Sequence, residues 1–160
     1  MRGSLFAPLG GHLATVLAPY YKEAASYVEN SLRVKKRVSE AMESHPLAAF
    51  GSFDVVSLFT RVPVREAIEV VGRLLSQDSD LGSRTKINAK TLCDLIKFCL
   101  TSCYFIFGSS FYVQEDGVAM GSMGSNLGCV IANIYMRFSG MSPRDCKNYG
   151  NFLRRYISRK

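Results

Sequence analysis

The chain has 160 residues, a net charge of +7, a hydrophobic fraction of 48% and a charged fraction of 21%. That length allows one domain with a buried core, and that composition excludes a chain disordered throughout. The positive charge is uneven: residues 51–143 carry eight basic and eight acidic groups, whereas residues 144–160 carry six basic groups against Asp145 alone, a net of +5.

In chain order, Leu13 to Ala18 predicts a short helix ending at Pro19. Ser31 to Glu43 predicts an amphipathic helix, with Val34, Val38, Ala41 and Met42 on one face and Lys35, Lys36 and Arg37 on the other. Ser52 to Thr60, SFDVVSLFT, begins as a buried strand in which Phe53 and Val55 alternate around Asp54. Pro63 suits the first turn of a following helix, where its missing N–H is not needed. Val64, Ala67, Ile68, Val71 and Leu75 are the apolar stripe of that helix, and Gln77 to Thr85 reads as a polar loop.

Asn88 is placed to cap a further helix with the stripe Leu92, Leu95, Ile96, Cys99 and Leu100. Cys103 to Phe107 and Ser110 to Gln114 are aromatic β-rich runs around Gly108-Ser109, the signature of a hairpin. A Gly/Ser/Met loop, GVAMGS from Gly117, then opens into a helix with Leu127, Val130, Ile131, Ile134 and Tyr135 on its apolar face.

Five cysteines, at positions 93, 99, 103, 129 and 146, form no CxxC pair or zinc spacing, and an odd count reads as reduced thiols. His12 and His45 have no second ligand nearby in sequence. The N-terminal apolar run is broken by Pro8, Gly10, Gly11 and His12 and does not read as an export signal. No uninterrupted run approaches the ~20 apolar residues of a membrane span. The expected setting is intracellular, nuclear or cytoplasmic, without a membrane partner. No G-x-S-x-G, Walker loop or HExxH occurs.

An acid closing an apolar strand, an aromatic five residues on, and a small-residue loop before a helix together resemble motifs A and B of reverse transcriptases. SFDVVSLFT…VPV.EAIEVV and GVAMGS…ANIYM are most similar to the Penelope-like retroelement branch, over roughly Leu13 to Tyr156. The resemblance implies an α/β (α+β) fold: a partial palm with a fingers remnant from a right-handed polymerase, truncated before the Asp-Asp hairpin and thumb. Residues 1–48 would be connecting helices on the fingers side, 49–140 the palm core, and 141–160 a basic tail at the position of motif C.

The resemblance also implies roles. Asp54 would be the catalytic carboxylate holding Mg²⁺, a hard ion that takes oxygen ligands, with the backbone carbonyl of Val55 as a further ligand. Phe59 would lie under the sugar of the incoming nucleotide and disfavour a 2′-hydroxyl. Gly121, Ser122, Gly124 and Ser125 would approach the nucleotide. The family's partners are an RNA template, a DNA primer and dNTPs.

Two departures matter. The triplet Met-Gly-Ser occurs at 120–122 and again at 123–125, making the loop three residues longer than in relatives. Where relatives carry the Asp-Asp pair, this sequence reads RRYISRK, with Ser158 and Arg159 in those places. A guanidinium there repels a divalent cation. The chain is therefore expected to be catalytically incomplete. The alternative is a non-catalytic nucleic-acid-binding or interaction fragment from a decayed or domesticated element. On either reading Arg154, Arg155, Arg159 and Lys160, interleaved with aromatic residues, suit weak sequence-independent contact with phosphates.

Overall fold

The computed structural model describes residues 6–24, 27–45, 57–115, 117–120 and 125–138. The described elements are α1 (Ala7–Lys22), α2 (Ser31–Ser44), α3 (Leu58–Arg61), α4 (Val64–Gln77), α5 (Leu81–Arg84), α6 (Ala89–Thr101), β1 (Tyr104–Phe107), β2 (Ser110–Val113) and α7 (Leu127–Phe138). Among the described residues the architecture is mixed: helices build the core, and a two-stranded antiparallel sheet accompanies them.

Apolar periodicity accounts for the core. α1 contributes Leu13, Ala14, Val16 and Leu17, α4 contributes Ala67, Val70, Val71 and Leu75, and α6 contributes Leu92, Ile96, Cys99 and Leu100. α7 lies among them with Leu127, Val130, Ile131, Ile134 and Tyr135 buried, the face expected from its spacing. Its principal neighbours are α1, α4 and α3, so among the described residues it packs on helices. The strand proposed around Asp54 lies outside them.

α1 is longer than its sequence suggests and runs through Pro19 instead of stopping there. A proline inside a helix removes one N–H and crowds the preceding turn. Here the buried stripe on α7 and α6 offsets that cost, and two arginines serve carbonyls of the last turns. Arg84 Nη1 donates to Val16 O at 2.7 Å, and Arg137 Nη1 donates to Tyr20 O. Gly10 and Gly11 likewise fail to break the helix. Gly10 is buried where an added Cβ would collide with Ser125.

Asn88 caps α6 as expected, accepting from Thr91 N at 2.8 Å. α4 begins at Val64, one residue later than expected, with Pro63 as its N-cap at φ −71° and ψ 117°. Pro63 O accepts from Ala67 N at 3.0 Å. The polar stretch after α4 contains the single turn α5, pinned by a cluster that composition concealed. Tyr20 donates to Asp78 Oδ2, Arg84 pairs with Asp78, and the Arg84 guanidinium sits 5.0 Å from the Tyr20 ring centroid.

The hairpin forms in the register Tyr104↔Val113, Phe105↔Tyr112, Ile106↔Phe111 and Phe107↔Ser110. Gly108 takes φ +62° and Ser109 does not go positive, the pattern of a two-residue turn with the left-handed position first. All eight strand residues are exposed, although both faces are apolar. α2 is capped by Asn30, which accepts from Arg33 N, and buries none of its residues. Both its apolar and its basic side chains are therefore largely exposed, with Val38 partly covered. Among the described residues no helix is long and apolar enough to cross a membrane.

Candidate functional site

The segment that follows SFDVV and the segment that opens with GVAM are far apart in sequence and in contact in space. Ser57 takes φ 56° and ψ 40°, the one non-glycine residue with positive φ among the described residues. A serine in the left-handed region carries strain that surrounding contacts must hold. The turn after it supplies them: Arg61 N donates to Ser57 O at 3.2 Å, and Thr60 Oγ1 donates to the same oxygen at 3.1 Å.

This turn presents the carbonyl of Phe59, which accepts from Val118 N at 2.7 Å. Gly117, at φ +76°, lies directly on the Phe59–Thr60 backbone. A Cβ there would stand 2.5 Å from Thr60 Cα and 2.7 Å from Phe59 O. Both the backbone conformation and the space demand glycine. Val62 and Val118 are buried on either side of the junction, and the Phe59 ring is half-buried against the core.

The same strip continues onto α7. A Cβ on Gly128 would strike Ala119 O, so residues 118–119 cross the first turn of α7 in direct backbone contact. Ser125 Oγ accepts from Leu127 N at 3.3 Å and touches Gly10 of α1. Phe59 and Ser125, the two expected site residues that the structure describes, are thus tied to the same helix start, one through Val118 and the other directly. Asp54, Val55, Gly121, Ser122, Gly124, Arg154, Arg155, Arg159 and Lys160 lie outside the described residues, as does most of the Met-Gly-Ser duplication.

Among the described residues no group of three or more His, Cys, Asp or Glu stands together as a metal site. Asp54, on which the Mg²⁺ expectation rests, is not among them. Glu66 instead accepts from Tyr135 Oη at 2.9 Å, joining α4 to α7. Burial, with this hydrogen bond and the Glu66 charge, raises the Tyr135 pKa above its ordinary 10.0. Desolvation also raises Tyr20, partly countered by Arg84. It raises the Cys93 and Cys99 thiols above 9.0 as well, so these cysteines are poor nucleophiles.

Sequence reading did not single out Gly117 as the seat of the junction, although a Gly heading a small-residue loop is the residue type that permits close backbone approach. It also missed that Tyr21, Tyr27 and Arg137 line one groove. Comparison with protein-family models, with curated proteins and with solved structures returns no match.

Proposed function

We propose that this chain is a portion of an RNA-directed DNA polymerase domain from a Penelope-like retroelement, catalytically incomplete in this form. The observation that supports it most is the Phe59–Val118 junction with Gly117 seated on it. The sequences that resemble motifs A and B meet backbone to backbone, which a shared nucleotide site requires of them.

On this reading Asp54 ends the strand leading into the junction and supplies a carboxylate, and the Val55 carbonyl supplies a second oxygen. Phe59 would hold its ring under a deoxyribose, while the 121–125 loop approaches the nucleotide. RNA template, DNA primer and dNTP are the partners of the parent polymerase. Template-directed nucleotidyl transfer uses two divalent ions to stabilise the attacking and leaving oxygens. The donor set of this sequence does not fit two such ions, because Ser158 and Arg159 stand where two further carboxylates belong. The same substitution, with the +5 tail, favours a second reading: a fragment that binds nucleic acid without processing it.

The test is a pair of assays on the unmodified chain. Primer extension with Mg²⁺ or Mn²⁺ on RNA or DNA templates should give no product. RNA and DNA should bind weakly, with affinity that falls steeply as salt rises, because bound phosphates release counterions. Template-dependent dNTP incorporation lost on Asp54→Ala would overturn the incompleteness. Salt-insensitive binding that survives deletion of residues 144–160 would remove the tail as the contact.

A further inference from the structure

An open groove of about 400 Å³ runs between the end of α1, the Tyr27–Val28 segment and the outer face of α7. Tyr21, Tyr27, Val28, Asn133, Met136 and Arg137 line it, and none of its described lining residues is acidic. Asn133, Met136 and Arg137 follow at helical spacing and form one face of α7, away from the buried Val130, Ile131 and Ile134. The Tyr21 and Tyr27 rings meet edge to face, with centroids 5.6 Å apart at 75°. Both are half-buried, so the pair is held in place before any ligand arrives.

Basic side chains outnumber acidic ones around the groove, although Glu23 and Glu29 stand exposed beside the lining residues Ala24 and Val28. Arg137 spends one guanidinium N–H on Tyr20 O and has five in all. Arg37 Nη1 donates to Tyr27 O at 3.4 Å, which brings this side of α2 to the rim, with Arg33 exposed one turn away on the same face; Lys36, also exposed, pairs with Glu40. Lys22 lies in the last turn of α1, next to Tyr21. Held aromatic faces with cations alongside are the means by which single-stranded nucleic acid is bound: bases stack on rings, and the backbone follows the charge. A duplex keeps its base faces covered along its length, so the groove favours a single strand. The exposed hairpin offers rings too, but residues 102–114 contain no Lys or Arg.

We propose that this groove binds single-stranded RNA or DNA, with a base stacked on the Tyr21–Tyr27 pair and the flanking phosphates on Arg137 and the Arg33–Arg37 side of α2. The inference deepens the nucleic-acid reading of the chain and depends on it. The probes are labelled oligo(dT) and oligo(rU) of about ten nucleotides, within the site sizes usual for such grooves, titrated into the full chain at low salt. Because the chain has no tryptophan, its emission comes from tyrosine, and stacking should quench it.

Tyr27→Ala and Arg137→Gln should each weaken binding about tenfold, with Tyr27→Phe retaining affinity and quenching. Met136→Glu adds a carboxylate at the rim and should weaken binding in the same way, which keeps the test open if Arg137→Gln loosens α1. Single strands should compete better than duplex. If all three weakening substitutions leave affinity unchanged while deletion of 144–160 abolishes it, the groove is not the site and the nucleic-acid reading stands. If neither oligonucleotide binds the unmodified chain, both fall.

Discussion

The amide of Val118 donates to the carbonyl of Phe59 across 2.7 Å, and the residue before Val118, Gly117, lies on the same stretch of backbone. One hydrogen bond of this kind adds about 0.5–1.5 kcal/mol net. Its importance is positional: it fixes the turn that follows the Asp54 segment against the loop that opens α7.

Gly117→Ala should therefore be costly. It places a methyl against Thr60 and holds alanine at φ +76°, and the two penalties together amount to about 2–4 kcal/mol. Gly11, inside α1 with nothing within 4 Å of an added Cβ, is the contrasting case. Gly11→Ala should stabilise by about 0.5–1 kcal/mol, since alanine is the better helix former. Urea unfolding of the two variants checks both signs.

Much of the helical fold was legible because burial followed periodicity. The α7 face came through in full, and the α6 stripe kept Leu92, Ile96, Cys99 and Leu100 buried with Leu95 half-buried. The hairpin was legible from Gly108-Ser109 between aromatic runs. α1 was misjudged at Pro19 because the arginines that serve its last carbonyls come from distant positions, 84 and 137, and local rules cannot see them. The Tyr20–Asp78–Arg84 cluster was hidden for the same reason. Of the Phe59–Val118 junction, Phe59 and the small-residue loop were singled out through the resemblance alone. The glycine contact that joins them is a tertiary fact with no local signature beyond the residue type.

Alkaline pH should destabilise the fold. Tyr135 and Tyr20 titrate above 10.0, and Cys93 and Cys99 above 9.0, when folded. A group whose folded pKa is raised holds its proton more tightly in the native state, so its contribution is complete below the unfolded pKa and is lost as pH climbs through the folded one. Thermal stability should accordingly hold to about pH 9 and decline above it. Tyr135→Phe should flatten the part of the decline above pH 10, at the cost of the bond to Glu66. An unchanged slope in Tyr135→Phe would remove this pair as a source.

The hairpin should govern self-association more than stability. Phe107 and Phe111 are 75% and 71% exposed and carry little of the core, and an exposed apolar strand edge is a site for unwanted pairing. The double variant Phe107→Ser, Phe111→Ser should lower aggregation and dye binding to apolar surface, with a melting temperature close to the original. Sedimentation and a thermal melt decide it. A large fall in melting temperature would mean that the hairpin is held more firmly than its exposure indicates.

The most direct measurement of the central claim is an exchange of segments. Ser52–Thr60 of this chain would replace motif A in an active reverse transcriptase of the Penelope-like group, and RNA-templated dNTP incorporation would be followed. The account predicts that the hybrid remains active and that Asp54→Ala within the transplanted segment silences it. A folded hybrid without incorporation, or one that stays active after Asp54→Ala, would contradict the assignment of this segment as a polymerase carboxylate motif.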